Sequence, residues 1–309
     1  MRSTLQMKIA RRVGLFFALA LSLSAYAENS SLRVETIQFK SKLVGKLLPY
    51  SVVLPESYSK RSDERKRYPV LYLLHGLDGH YTNWLSKTKL RDYASHYQMI
   101  IVTPEGNNGW YTDSATDPHD QYEAYFISEL IPDVDSRFRT VSIREGRAIA
   151  GLSMGGYGAL KFGVKYPDKF IFAGSISGAL DPAVRSDEKP RNAWSYLRPS
   201  IMQTFGPPGS PTRAANDLHQ LVRDFPVERL ASLPFFYLDC GTEDGFLTGN
   251  RELADIFLQR KVPHEFRELP GAHNWAYWDA QVQEVLKIAA RRMPADYFIA
   301  PTGKSRSIF

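Results

Sequence analysis

The chain carries a single cysteine, Cys240, so no internal disulfide can form and stability has to come from a hydrophobic core. Cys240 follows an apolar run and reads as a buried, inert thiol. Beyond the first 27 residues no stretch is long and apolar enough to cross a bilayer. Charge of one sign is also scarce. The net charge is +6, and Arg2, Lys8, Arg11 and Arg12 account for +4 of it, leaving +2 for the rest. That is too little for a nucleic-acid footprint. The run over residues 60–67 mixes both signs and reads as a solvated loop ahead of a strand. No histidine pair has zincin spacing, and His119 with Asp120, or His219 with Asp224, fits no ligand pattern. No glycine-rich loop matches a phosphate, flavin or nicotinamide cradle. No metal and no cofactor are expected.

What is present begins with a leader. Lys8, Arg11 and Arg12 precede an apolar stretch over residues 13–24, and Ala25-Tyr26-Ala27 supplies a small-residue cleavage site before Glu28. Residues 1–27 therefore read as a secretory signal, and the mature protein is expected to be exported, periplasmic or secreted. No cysteine lies beside the cleavage site to carry a lipid, so no stable membrane anchor is expected after cleavage.

Apolar runs at residues 32–39 and 48–54, separated by a turn at Gly45, read as an antiparallel hairpin. Strand-like runs follow at residues 70–74, 99–102, 147–150, 170–176, 235–238 and 265–269. Helical patterns occupy residues 83–97, 121–138, 154–166, 248–261 and 276–292. This alternation predicts an α/β domain over residues 28–300, with a mostly parallel sheet covered by helices on both faces. Functional loops are then expected at the carboxyl ends of the strands. Residues 181–232, rich in Pro, Arg and Asn, read as a cap-like insertion too poor in apolar residues for a core of its own. Helical pieces are expected there near residues 194–202 and 218–225. Residues 301–309 read as a loose tail.

The chemistry concentrates at Gly151-Leu152-Ser153-Met154-Gly155. A buried strand turning through a serine into a helix needs glycine at both flanks, and it lifts the hydroxyl clear beside the positive helix end. A serine hydroxyl also needs a base and an orienting carboxylate, in the chain order Ser, acid, His on such a fold. Of seven histidines, His273 lies between the last predicted strand and the last helix, on the correct edge of the sheet. His96, His219 and His264 read as ordinary surface residues. His80 and His119 lie on loops that position alone does not exclude. Asp244, past the strand at 235–238, is the favoured acid and Glu243 its near competitor, while Asp239 reads as the strand's end. Two backbone N–H groups, of Met154 after the serine and of Leu77 in the loop His75-Gly76-Leu77, are placed to hold an oxyanion. His75 precedes the serine in the chain and reads as a support for that loop.

Five segments in order carry a family resemblance: Leu73-Leu74-His75-Gly76-Leu77, Gly109-Trp110-Tyr111-Thr112-Asp113-Ser114, residues 151–160, Cys240-Gly241-Thr242-Glu243-Asp244, and Gly271-Ala272-His273-Asn274-Trp275-Ala276-Tyr277-Trp278. Over residues 48–291 the chain resembles the esterase D family of α/β-hydrolases, which includes S-formylglutathione hydrolases, feruloyl and acetyl-xylan esterases, tributyrin-type esterases and mycolyltransferases. The resemblance implies an α/β-hydrolase fold with an eight-stranded sheet and a small cap. It places Ser153, Asp244 and His273 on the family's triad and Leu77 and Met154 on its oxyanion donors. It implies hydrolysis of small or short-chain acyl esters, sugar or phenolic esters among them, through an acyl-enzyme without a cofactor. Acyl transfer on the same triad is one alternative, and a non-catalytic secreted carbohydrate- or partner-binding protein is another. Trp110, Tyr111, Asp113 and Trp275 are candidate substrate contacts, with a packed aromatic loop as the competing reading of the first three and a packing role equally open for Trp275.

Overall fold

Each strand-like run named above from residue 32 onward contains a strand in the computed structural model, which describes residues 32–59, 65–185, 193–294, 297–299 and 305–307. The expected leader lies outside the described residues. In chain order the strands are β1 (Val34–Ile37), β2 (Tyr50–Val53), β3 (Lys66–Arg67), β4 (Val70–Leu74), β5 (Ile100–Pro104), β6 (Arg147–Leu152), β7 (Phe172–Ile176), β8 (Phe235–Gly241), β9 (His264–Leu269), β10 (Tyr297–Ile299) and β11 (Ser305–Ser307). The main sheet has eight of them in the order β1-β2-β5-β4-β6-β7-β8-β9. β1 and β2 form the expected antiparallel hairpin, with Ile37 opposite Tyr50, and β2 runs antiparallel to β5. From β5 to β9 every pairing is parallel.

Strands β4 to β7 bury every residue, because helices cover both faces; that is why their sequences are mostly apolar and do not alternate. One face packs on the last helix, Trp275–Arg292, through Val282, Val285, Leu286 and Ala289. The other packs on the helix Met154–Lys165 and its neighbours. β9 closes one rim and carries charge. Arg267 pairs with Glu265 at 2.5 Å and Glu284 at 2.9 Å, and Arg251 pairs with Glu268 at 2.5 Å.

Two expected helices are interrupted for local reasons. Residues 83–97 divide into Asn83–Lys87 and Leu90–Ala94. The Thr88 hydroxyl between them donates to the Trp84 carbonyl and accepts the Leu90 N–H at 3.1 Å, competing with helical bonding. Residues 121–138 form Tyr122–Tyr125, a π-helical turn Phe126–Leu130, and Ile131–Arg137. Pro132 has no N–H to give the carbonyl four residues back, and the wider turn sits where that bond is missing.

The insertion contains the helices Pro182–Arg185, Ala193–Phe205, Pro211–Ala215 and Leu218–Arg223 and the 3-10 turn Val227–Ser232. Its Leu197, Ile201, Phe205, Leu218 and Val222 join the same cluster as the strands, so it shares the domain core. It also reaches the loop that follows β5. Trp110 Nε1 donates to Ser200 Oγ at 3.0 Å, and the Ser114 and Thr116 hydroxyls donate to the Gln203 carbonyl at 2.9 and 2.6 Å.

Three expectations need correction. Lys66–Arg67, expected in a solvated loop, pairs with β10, and Ser305–Ser307, expected in a loose tail, pairs antiparallel with β10. Tyr297-Phe298-Ile299 is a β-forming triplet that offers hydrogen bonds on both edges, an opportunity that polar partner segments do not advertise. His219, read as a surface residue, is buried, because its helix turns that side toward the core.

Asp239 in β8 is fully buried, and the Tyr237 and Tyr277 hydroxyls approach its carboxylate without meeting hydrogen-bond geometry. Burial pushes its carboxyl up to about 7, with the two tyrosines and Arg267 opposing that rise and Glu284 adding to it. The native state therefore keeps a proton that the unfolded chain releases near 3.9, so this group's contribution falls as pH rises from about 4 to 7. Asp239→Asn is expected to raise Tm by about 5 °C at pH 8 and to change it little at pH 4. Thermal melts at the two pH values check this, and equal shifts at both would refute the protonation account.

Candidate active site

β6 ends at Leu152 and a helix begins at Met154, leaving Ser153 alone at the turn with φ 53° and ψ −118°. A non-glycine residue rarely holds that conformation, and the surroundings over-determine it. The Ser153 N–H donates to the Ile176 carbonyl at 3.1 Å, and its own carbonyl accepts the Tyr157 and Ala179 N–H groups, both at 3.1 Å. The flanking glycines are steric requirements. A Cβ on Gly151 would stand 2.5 Å from the Gly155 backbone, and one on Gly155 would stand 2.6 Å from the His75 carbonyl oxygen.

Parallel strands deliver two further side chains to the same edge. His273 follows β9 and Asp244 follows β8. His273 Nε2 lies 3.0 Å from Ser153 Oγ, and His273 Nδ1 lies 2.8 Å from Asp244 Oδ2. Asp244 Oδ1 accepts the Phe246 N–H at 2.9 Å, so both carboxylate oxygens are engaged. The Asp244 side chain is 0% exposed and that of His273 is 29% exposed. Phe246 and Trp278 meet the imidazole edge-on at 4.8 and 4.9 Å between ring centres and limit its rotation. Glu243 is exposed and donates its N–H to the Gly271 carbonyl at 2.9 Å; it is Asp244 that meets His273.

The orientation of the Leu77 N–H follows from what holds the peptide before it. The Gly76 carbonyl accepts His75 Nδ1–H at 2.7 Å and the Gly79 N–H at 3.1 Å. In a planar trans peptide the N–H points opposite to the C=O, so this pair of bonds turns the Leu77 N–H the other way. His75 Nε2 in turn lies 2.9 Å from the Gly106 nitrogen and 3.2 Å from Glu105 Oε1. His75 is thus the loop support expected from the sequence. Met154 is the first residue of its helix, and its N–H has no intrahelical acceptor. Glu105 backs the same loop. Burial would raise its carboxyl, but His75 and the Asn107 and Tyr81 N–H groups outweigh that and hold it below the usual range.

Of the four candidate substrate contacts, two are buried, Asp113 is exposed and Trp275 is half-buried. Trp110 and Tyr111 are 0% and 1% exposed, packed under the insertion and against the helix Met154–Lys165, so neither side chain faces a cleft. Asp113 caps the start of the Tyr122–Tyr125 segment, accepting the Glu123 and Ala124 N–H groups at 2.9 and 3.0 Å. Trp275 meets Trp84 and Trp278 edge-on at 5.9 and 5.0 Å and serves the packing of the last helix. Among the other histidines, His80 and His119 are exposed and neither approaches Ser153.

The sequence reading missed Lys161. It is fully buried and donates to Glu123 at 2.7 Å, to Thr112 Oγ1 at 2.6 Å and to the Tyr111 carbonyl at 2.8 Å. Burial pulls its ammonium down to about 8, while Lys161 and Lys165 outweigh burial at Glu123 and hold that carboxyl at about 2. The pair is charged at neutral pH. The one available signal was a lysine inside an otherwise apolar helix. Near the Leu77 loop lies a cavity of about 450 Å³ whose walls include Lys46, Asp78, Asn107, Asn108, Asp120 and Gln203. Ser153 and His273 do not line it, but Asp78 directly follows Leu77, and the Tyr196 hydroxyl of the insertion donates to the Asp78 carboxylate. Among the described residues no group of three or more His, Cys, Asp or Glu side chains is placed to hold a metal.

Residues 41–288 match the family model described as "Putative esterase". The chain is 29% identical over 256 residues to an acetyl esterase of Caldicellulosiruptor saccharolyticus, a match covering 80% of this chain and 94% of that protein. It is 32% identical over 260 residues to Esterase Rv1288 of Mycobacterium tuberculosis, covering 76% of this chain and 54% of that longer protein. Among solved structures it superposes on a ferulic acid esterase with a TM-score of 0.70 and 29% identity, over 84% of this chain and 98% of that one. The fold, a mostly parallel eight-stranded sheet with helices around it, is that of an α/β-hydrolase.

Proposed function

The chain belongs to this esterase family, and from that premise we propose that it is an exported serine carboxylesterase acting on short-chain acyl esters through an acyl-enzyme. The observation that carries the reading is the continuous relay from Ser153 Oγ through His273 to Asp244, at 3.0 and 2.8 Å. Ser153 Oγ attacks the ester carbonyl while His273 Nε2 takes its proton. Asp244 accepts the Nδ1–H bond, which fixes the tautomer and stabilises the imidazolium. The carbonyl oxygen becomes an anion between the Leu77 and Met154 N–H groups. His273 then gives the proton to the departing alcohol oxygen as the tetrahedral adduct collapses. Water, deprotonated by the same nitrogen, attacks the acyl-enzyme, and Ser153 leaves with its proton restored.

The polar cavity beside Asp78 supports an alcohol portion rich in hydroxyl groups, such as a sugar. Export rests on the leader sequence alone. Turnover of p-nitrophenyl acetate, butyrate and octanoate tests the acyl side, with the two short esters expected to exceed octanoate in kcat/KM by at least about tenfold. Acetylated and feruloylated sugars test the alcohol side. An added alcohol acceptor separates hydrolysis from transfer: free acid is the expected product, and a predominant new ester would make the protein an acyltransferase.

A further inference from the structure

The loop after β5 passes through Trp110 at φ 52° and Tyr111 at φ 50°, two consecutive bulky residues in the left-handed region. Such a path persists only where its surroundings impose it. Here the anchor is Lys161, whose ammonium binds the Tyr111 carbonyl and the Thr112 hydroxyl from within the helix that begins at Met154. The Tyr111 ring is wedged between two glycines. A Cβ on Gly158 would stand 2.7 Å from Tyr111 Cδ2, and one on Gly106 would stand 2.5 Å from Tyr111 Cε1. From that seat the Tyr111 hydroxyl donates to the His75 carbonyl at 3.1 Å. That carbonyl belongs to the peptide immediately before the one that presents the Leu77 N–H.

Both proposed oxyanion donors are therefore referenced to one helix. The Met154 N–H is its first residue, and the Leu77 N–H is tied through Tyr111 to Gly158 and Lys161 further along it. We propose that Tyr111 is a positioning residue: its hydroxyl, by holding the His75 carbonyl, sets the placement of the Leu77 N–H and so the stabilisation of the oxyanion. The inference rests on the esterase reading above. Substrate does not touch Tyr111, which is 1% exposed. The hydroxyl therefore affects the charged intermediate and not ground-state binding.

Tyr111→Phe keeps the wedged ring and removes only the hydroxyl. Its kcat on p-nitrophenyl acetate is expected to fall about tenfold, less than the loss of a whole oxyanion donor. KM is expected to stay within about twofold. Butylboronic acid, which adds to Ser153 Oγ as a tetrahedral anion, should bind about tenfold more weakly, in parallel with kcat. Tm should move by no more than about 2 °C, which shows that the variant folds. Ser200→Ala, which releases Trp110 in the same loop but leaves the Tyr111 hydroxyl bonded, should keep wild-type kcat. Unchanged kcat and boronate affinity in Tyr111→Phe would overturn the inference, as would equal kcat losses in Tyr111→Phe and Ser200→Ala. A wild-type protein that neither turns over esters nor binds the boronate would overturn the esterase reading itself, and this inference with it.

Discussion

Ser153→Ala is expected to lower kcat by more than about 10³-fold and to abolish labelling by a fluorophosphonate probe, with the fold intact. The two halves of that expectation have separate causes. Activity goes because alanine has no oxygen to attack the carbonyl, and the remaining donors can only polarise a substrate that water must reach unaided. The fold stays because alanine keeps the Cβ and adds no atom, and the backbone bonds from Ser153 to Ile176, Tyr157 and Ala179 do not involve the hydroxyl. Labelling followed by gel fluorescence, beside a melt of wild type and variant, checks both halves. Retained turnover in the variant would remove Ser153 from the mechanism.

The second large effect is expected at Asp244. Its Oδ1 takes the Phe246 N–H and its Oδ2 takes His273 Nδ1–H, so the site asks for two acceptors. Asparagine has one acceptor oxygen and one donor nitrogen. If the amide nitrogen faces the imidazole, Nδ1 must become the acceptor and the proton moves to Nε2, where it faces Ser153 and cannot act as a base. If it faces Phe246, two donors meet in a buried place. Asp244→Asn is accordingly expected to cost about 10⁴-fold in kcat. Glu243→Gln, on an exposed side chain that does not meet His273, is expected to change kcat by less than about twofold. Steady-state kinetics on the pair decide the matter, and the reverse ranking would transfer the acid's role to Glu243.

The relay was legible because its parts obey local rules. Gly151 and Gly155 mark the turn, continuous apolar runs mark strands covered on both faces, and the crossover topology assigns each following loop to one edge of the sheet. A place just after the last predicted strand, on that edge and late in the chain, then favours His273 among the seven histidines. Side-chain burial obeys no local rule. Trp110 and Tyr111 look like an aromatic cleft wall in sequence, and only the insertion above and the helix beside them turn them inward. Lys161 looks like a solvent lysine until Glu123, brought from a distant segment, supplies its counter-charge. His219 and the strands β3 and β11 were missed for the same reason: each depends on a partner far away in the chain.

The ion pairs along β9 have a consequence for how copies of this protein meet one another. An open rim of a sheet can recruit a strand from another molecule, and a row of unpaired backbone groups would serve as its template. On β9 an incoming strand would have to strip water from Glu265, Arg267 and Glu268 and displace the partners that Arg251 and Glu284 provide. That obstacle disfavours strand-by-strand growth from this side. It protects against aggregation at high concentration, and it does so with residues that take no part in the chemistry.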